Sequence, residues 1–356
     1  MSGFLQKIYA PFSNDIGIDL GTANSLVYVA GKGILINEPS VVATNQKTHQ
    51  VVAVGKQAKE MLGRTPNFVK VVRPLVNGVV SDFEVTEEML EYFLRKSQEG
   101  TRALFGPRVV IGVPFGITNV ESRAVRDAAI NAGAREVYIV EEVIAAAIGM
   151  RLPIHEPRAH MVLDIGGGTT DVAVISLNGV VSAKNLHIAG DKLNQDIISY
   201  LRDEFKLVVG ETTSETLKFV VGAVLEDSTP RETNVRGRHL VTGLPKEVVI
   251  TDEDVREAIH GSVEGIVEGV HEVLEMSPPA AVADVMETGI NITGGGALLR
   301  GVPQLITQTL GVPVNVANDP LTSVVRGTGV IVEHIESYGD VLLDEQAIPE
   351  LEQQRS

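Results

Sequence analysis

Cysteine and tryptophan are both missing from the 356 residues, and aromatic residues of every kind make up only 4% of the chain. Without thiols there is no disulfide framework, no thiolate metal site and no thiol nucleophile, a composition that suits a reducing cytoplasm. Positive charge is also scarce: 30 Lys and Arg stand against 46 Asp and Glu, a formal net charge of −16. Nucleic-acid binding draws most of its affinity from basic side chains that neutralise phosphates, so no nucleic-acid partner is expected. No apolar run approaches the roughly 20 residues of a membrane-spanning helix, and the opening residues lack the apolar core of a secretory signal. A cytoplasmic location is the expectation.

What the chain does contain is enough apolar material, 44% of its residues, to bury more than one core. Strand-like β-branched runs alternate with amphipathic stretches from Asp15 to about Ile335, which predicts an α/β protein. Thr118-Asn-Val-Glu121 reads as a capping box opening a helix that presents Val120, Ala124, Val125 and Ala128, closed by Gly133. A longer helix is expected from near Thr251, with Val255, Ile259, Val263, Ile266, Val270 and Leu274 on one face, ending before Pro278-Pro279. Lys32 to Leu75 and Ser182 to Lys246 are more polar and look like two insertions. From Tyr338 onward an acidic tail with little to bury is expected to be poorly ordered.

The most informative feature is a repeat. Ile18-Asp-Leu-Gly-Thr-Ala-Asn-Ser-Leu-Val-Tyr-Val29 is echoed by Leu163-Asp-Ile-Gly-Gly-Gly-Thr-Thr-Asp-Val-Ala-Val174, each reading as strand, tight turn, strand. Glycines in such a turn remove the Cβ atoms that block close approach, so backbone N–H groups can point at phosphate oxygens. An Asp just before the turn can hold Mg²⁺ through water. One copy alone could be an ordinary Gly-rich hairpin; two matched copies argue for two related halves that clamp a triphosphate. A third cluster, Thr293-Gly-Gly-Gly-Ala-Leu-Leu-Arg-Gly301, is expected to lead from a strand into a helix carrying Leu298, Leu299, Val302, Leu305 and Ile306. By itself that pattern is shared with many dinucleotide-binding and packing turns. A Walker A ending in Gly-Lys-Ser/Thr is absent, and so is the Gly-x-Gly-x-x-Gly fingerprint in a leading βαβ unit, which counts against a dehydrogenase.

Asp19-Leu-Gly-Thr-Ala-Asn24, Asp164-Ile-Gly-Gly-Gly-Thr-Thr170 and Thr293-Gly-Gly-Gly-Ala-Leu-Leu-Arg300 resemble, in order and spacing, the two phosphate motifs and the adenosine motif of the actin-like ATPases. Within them, Asn37-Glu-Pro-Ser40, Val110-Ile-Gly-Val-Pro114, Gly116-Ile-Thr118, Ala145-Ala-Ala-Ile-Gly149 and Ile188-Ala-Gly-Asp191 are similar to the MreB family of bacterial filament proteins, over roughly residues 14 to 336. The resemblance implies an actin-like α/β fold: two related lobes from a ribonuclease-H-like duplication, each with a smaller insertion, and nucleotide in the cleft between. The implied divisions are an N-terminal amphipathic segment, 1–13; subdomain IA, 14–33, 77–145 and 318–337; IB, 34–76; IIA, 146–181 and 247–317; IIB, 182–246; and the acidic tail, 338–356.

Residue by residue, the resemblance puts Asp19 and Asp164 near Mg²⁺. It puts Gly21, Thr22, Ala23 and Asn24, with Gly166, Gly167, Gly168 and Thr169, on the phosphates of ATP. Gly294, Gly295, Gly296, Ala297 and Leu298 then flank the adenosine, and the helix motif Glu215, Thr216, Leu217 and Lys218 borders base and ribose. A Glu and Lys three apart on a helix surface would look the same with no ligand. Glu142 is the implied hydrolytic residue, helped by Thr169, with Glu141 as fallback. An ordinary carboxylate is a weak base at neutral pH, so its role would be to orient water for in-line attack, giving slow turnover. An acid at a helix N-terminus is also favoured by the dipole alone. Two departures fall here: Val143 where relatives carry proline, which loosens the turn, and Asp171 where many carry Glu.

Phe4, Leu5, Ile8, Tyr9 and Phe12 share one helical arc, which suits either an interfacial membrane anchor multiplied by filament avidity or a segment docked on its own domain. Leu104 and Phe105 lie in Arg102-Ala-Leu-Phe-Gly-Pro-Arg108. The resemblance implies a membrane-inserting loop there; the pattern alone fits equally a cap on the core. It further implies a homopolymer on the inner face of the cytoplasmic membrane, RodZ and other elongation proteins as partners, and a role in cell-wall synthesis and rod shape. A plasmid-partitioning filament, a chaperone-type ATPase and a small-molecule kinase are the alternatives within the superfamily.

Overall fold

A computed structural model of the chain describes residues 14–99, 106–226 and 229–343. The expectations for Phe4, Leu5, Ile8, Leu104 and Phe105, and for the tail beyond 343, lie outside the described residues.

The first half runs β1 (Ile16–Leu20), β2 (Asn24–Val29), β3 (Gly33–Pro39), β4 (Val42–Asn45), β5 (Val51–Val54), α1 (Lys56–Glu60), β6 (Val69–Val72), β7 (Leu75–Val76), β8 (Val79–Val80) and α2 (Phe83–Ser97). It continues with β9 (Arg108–Val113), α3 (Asn119–Asn131), β10 (Glu136–Glu141) and α4 (Glu142–Gly149). Then come β11 (His160–Ile165), β12 (Thr170–Ser176), β13 (Gly179–Leu186), α5 (Gly190–Glu204), β14 (Leu207–Val208), α6 (Glu211–Val220), β15 (Glu232–His239) and β16 (Pro245–Thr251). The last elements are α7 (Asp252–Met276), α8 (Pro279–Thr288), β17 (Ile290–Thr293), α9 (Val302–Leu310), β18 (Val314–Val316) and α10 (Ser323–Glu333).

Two compact units result. Of the described residues, one gathers those up to Pro157 with Ile175–Val180 and those from Thr322 onward; the other holds those within Arg158–Val174 and Val181–Leu321. The first unit is built on a sheet of order β10-β9-β1-β2-β3. β1 runs antiparallel to β2 and parallel to β9, which is parallel to β10. Parallel central strands are covered on both faces, which is why β9 reads Val-Val-Ile-Gly-Val with no polar alternation. Ile16, Ile18 and Ile111 meet Met89, Leu90 and Phe93 of α2 in one fully buried core. Within 34–76 a smaller sheet, β5-β4-β6, closes over Val41, Ala43, Ala53 and Ala58.

The second unit repeats the plan. Its sheet has the order β13-β12-β11-β17-β18, so β11, β12, β13, β17 and β18 stand where β1, β2, β3, β9 and β10 stand in the first. β17 is parallel to both β11 and β18. The polar stretch 182–246 contributes β14 and β15, which with β16 form a three-stranded sheet.

The predicted capping box at Thr118 forms, and a second one opens the helix expected from near Thr251. Thr118 Oγ1 accepts the Glu121 N–H at 3.3 Å while Glu121 Oε2 accepts the Thr118 N–H at 2.9 Å, and Thr251 and Asp254 repeat the exchange at 3.2 and 2.8 Å. Val255, Ile259, Val263, Ile266 and Val270 of α7 are buried and Leu274 is half-buried. Val120 departs from expectation: it is 79% exposed, and Ser122 joins Val125 and Ala128 inside. Five residues set Val120 about 140° round the helix from Val125, off the buried stripe. Residues 338–343 also differ from the expected tail, because Val341 is buried and Leu343 packs on the first unit's core. Among the described residues no helix is long and apolar enough to cross a membrane.

Candidate functional site

In the first unit, Asp19 is the penultimate residue of β1, in register with Leu26 of β2 and Gly112 of β9, near the carboxyl end of the parallel strands, where open α/β sheets bind ligands. Gly21 permits the turn that follows: a Cβ there would lie 2.7 Å from the Asn24 carbonyl oxygen and 3.6 Å from Asp19 Oδ1. Two braces hold the turn from behind. The Ser40 hydroxyl, fully buried, donates to the Gly21 carbonyl at 2.5 Å and pairs with Ser25 Oγ at 2.9 Å. Thr22 Oγ1 accepts the Gly78 N–H at 2.8 Å, so this predicted phosphate ligand is also a structural acceptor. Ala23 gives its carbonyl to the Ser40 N–H, and Asn24 is exposed. Asp19 keeps a partly open edge, yet desolvation of the rest pushes its carboxyl up to about 7.

Glu142 opens α4 directly after β10, next to Glu141, and is buried. Its Cγ would lie 3.4 Å from a Cβ on Gly112, and Val324 Cγ1 would lie 3.1 Å from the same atom, so the glycine makes room for the acid. Val143 is fully buried on the same turn. α4 is pinned against α10 by small residues: a Cβ on Gly149 would meet the Ser323 carbonyl oxygen at 1.9 Å, and one on Gly327 the Ala145 carbonyl oxygen at 1.8 Å.

The second unit builds the matching turn. Asp164, buried, pairs in register with Thr293 of β17, as Asp19 pairs with Gly112. The Gly166 N–H closes the turn on the Thr169 carbonyl at 2.9 Å, and Thr169 is buried. The start of α5 braces it from below. Gly190 and Asp191 donate their N–H groups to the carbonyls of Gly166 and Gly167 at 3.2 and 2.8 Å, and Thr170 Oγ1 donates to the Ile188 carbonyl at 2.7 Å. Gly168 completes the turn. Lys218 of α6 reaches the same brace, donating Nζ to the Gly190 carbonyl at 2.8 Å. On that helix Glu215 is half-buried, Thr216 is exposed and Leu217 is buried.

The third cluster corrects one expectation. β17 does not run into the helix; Gly295–Leu298 forms a single 3-10 turn and α9 starts only at Val302. Gly294 at φ 79° and Gly301 at φ 88° both take left-handed backbone, which breaks the helix that apolar spacing suggested. Leu298 is therefore 56% exposed rather than on the core stripe with Val302 and Ile306, while Ala297 is buried. A Cβ on Gly294 would lie 2.3 Å from Asp164 Oδ1, and one on Gly296 2.1 Å from Ile165 Cγ2, so the glycines press this turn onto the aspartate strand. Arg300 ties it to α6, donating to the carbonyls of Val221 and Gly222 at 2.8 and 3.0 Å. Ser40, Gly190 and Arg300 have no roles readable from sequence, although each lies inside a motif that carried the resemblance.

Among the described residues no group of three or more acidic or His side chains could form a metal cage. One carboxylate per turn, Asp19 in the first unit and Asp164 in the second, is a donor set that would suit Mg²⁺ held through water, since that cation dehydrates reluctantly.

Two copies of one sheet topology, each carrying an aspartate and a glycine turn at the same register, define an actin-like protein. The family model described as MreB/Mbl protein matches residues 13–340. The Escherichia coli (strain K12) cell shape-determining protein MreB is 46% identical over 346 residues, 96% of this chain and all of that one. The cell shape-determining protein Mbl of Bacillus subtilis (strain 168) is 46% identical over 326 residues, 91% of this chain and 97% of that one. The crystal structure of a Spiroplasma citri MreB bound to AMPPNP superposes with a TM-score of 0.86 at 35% identity, covering 92% of this chain and 98% of that one. At 22% identity the MamK double helical filament shares the fold alone, with a TM-score of 0.77 over 90% and 99%. The chain belongs to the MreB/Mbl family.

Proposed function

We propose that this chain binds ATP with Mg²⁺, hydrolyses it slowly and polymerises into filaments on the inner face of the cytoplasmic membrane, where they direct cell-wall elongation and rod shape. The observation that carries the reading is the matched pair of aspartate turns, Asp19 with 21–24 and Asp164 with 166–169, at equivalent strand registers of a duplicated sheet. Family membership supports it: the relatives at 46% identity are named for determining cell shape, and the Spiroplasma citri protein was solved with AMPPNP and with ADP.

In this reading the backbone N–H groups of both turns hold the phosphates, and Asp19 and Asp164 orient the water shell of the metal. Bound Mg²⁺ would offset the phosphate charge. Exposed Leu298 offers an apolar face to adenine, with Glu215 and Lys218 at the ribose. Glu142, with Thr169, orients the attacking water rather than deprotonating it fully, so turnover is slow. Residues 34–76 and 182–246 serve as the insertion subdomains. Phe4, Leu5, Ile8, Leu104 and Phe105 contact lipid, and RodZ and other elongation proteins engage the filament.

The test is pelleting of the purified chain on anionic liposomes with ATP or ADP, followed by negative-stain microscopy, for the wild type and Leu104→Ser/Phe105→Ser. Nucleotide-dependent filaments on lipid, lost in the double variant, are expected. A monomer that binds ATP yet neither assembles nor touches lipid would overturn the filament reading in favour of a soluble ATPase or kinase of the same superfamily.

A further inference from the structure

We infer that the segment Gly339–Leu343 is a positioning strap for hydrolysis: by pairing with the outer edge of β10 it fixes the strand-to-helix junction that carries Glu142. The inference rests on the reading of Glu142 as the residue that orients water.

β10 is the last strand of its sheet, with β9 as its one full neighbour. A bare outer edge would leave its backbone groups open to water or to another chain. Instead, Val140 forms an antiparallel bridge with Leu342, and the Leu343 N–H donates to the Ile139 carbonyl at 2.9 Å. Ile139 and Val140 are fully buried, Val341 is buried, and Leu343 packs on the core of the unit. The start of the strap is anchored separately, by Asn178 Nδ2 donating to Asp340 Oδ2 at 2.8 Å. The held carbonyl therefore lies two residues before Glu141 and three before Glu142.

The junction needs such support. α4 begins on Glu141 with no side-chain cap, and Val143 supplies no ring to fix φ on the first turn. On its helix side the junction is fixed by the close crossing of α4 and α10 at Gly149 and Gly327. On its strand side, β9 holds one edge of β10 and the strap holds the other. The same C-terminal run of chain, α10 and then the strap, thus grips Glu142 from both directions.

Single-turnover hydrolysis at saturating Mg-ATP, affinity for a fluorescent ATP analogue and thermal melting, on the full chain, test the inference. Leu343→Pro removes the donated N–H and is expected to slow hydrolysis about tenfold with affinity held within about twofold, because displacing a positioned group by an ångström costs rate before binding. Leu343→Ile keeps the donor and the bulk and should restore the rate. Asp340→Ala, at an exposed position, loosens the anchor without touching the core and should slow hydrolysis about threefold, which keeps the test open should Leu343→Pro not fold. Wild-type rates in both Leu343→Pro and Asp340→Ala, with Glu142→Gln slow, would overturn the strap while leaving the site reading intact. A wild-type rate in Glu142→Gln would overturn the site reading, and the strap with it.

Discussion

Substituting Gly327 by Ala sets two physical effects against each other. In an exposed helix interior, Gly→Ala gains about 1 kcal/mol from helix propensity. In α10 the new Cβ would lie 1.8 Å from the Ala145 carbonyl oxygen, 2.5 Å from its carbon and 2.9 Å from its Cα, all backbone atoms of α4 that cannot rotate away. Restoring an ordinary contact of about 3.5 Å separates the helices locally by about 1.7 Å. Overpacking of this kind typically costs about 1–3 kcal/mol, and a rigid backbone obstacle argues for the upper end, so the net loss should be about 2 kcal/mol after the propensity gain. At roughly 2–4 °C per kcal/mol for a domain of this size, the melting temperature falls by about 4–8 °C. α4 begins with Glu142, so ATP hydrolysis should also fall by about tenfold or more. Gly261→Ala on α7 is the control, since a Cβ there meets nothing within 4 Å and only the propensity gain remains. Paired melting and single-turnover assays decide. If Gly327→Ala is stabilised like Gly261→Ala and hydrolyses at the wild-type rate, the argument from the close crossing is wrong.

Four further outcomes are expected. Because burial raises the folded Asp19 carboxyl from 3.8 to about 7, the folded state keeps a proton that the unfolded chain has released; stability without ligand should decline as pH rises from about 4 to about 7 and level off above, a slope that Asp19→Asn removes in denaturant titrations. For the same reason Mg-nucleotide must displace that proton, so its apparent affinity should rise between pH 6 and 8 in the wild type and stay flat in Asp19→Asn, read by fluorescent-nucleotide titration. Ser40→Ala leaves the Gly21 carbonyl and the Ser25 hydroxyl without their buried partner and should cost about 1–3 kcal/mol in chemical denaturation, with weaker nucleotide binding as the turn loosens. Arg300→Ala frees the end of α6 from the 294–300 turn and is expected to weaken ATP binding about tenfold while changing hydrolysis of bound ATP less than threefold, measured by titration and single turnover.

The sequence made the repeated turns legible because their glycines and aspartates recur at one spacing and the chemistry of a phosphate cradle needs both. The helix start at Thr118 was legible because a capping box is a local contract between residues three apart, and the start near Thr251 because the apolar face that follows it repeats at helical spacing. Val120 was misread because apolar character alone does not set helical phase. The turn at 295–298 was misread because glycine spacing does not reveal which residue takes φ > 0. Ser40, Gly190 and Arg300 act through backbone atoms far away in sequence, and no local pattern encodes such partners. The strap was hidden by its acidic surroundings, since two leucines that finish a sheet edge look like any others until the edge is known.

Gly112 and Thr293 hold equivalent positions in the two sheets and do opposite things there. At the strand position facing each aspartate, one copy keeps a residue with no side chain, leaving space for Glu142. The other keeps a threonine whose hydroxyl donates to the Pro320 carbonyl at 3.0 Å, closing that space with a tether. Equivalent positions of the two sheets thus serve opposite ends: one is kept empty so that an acid can sit beside it, and the other is filled by a hydroxyl that ties the strand to the chain near Pro320.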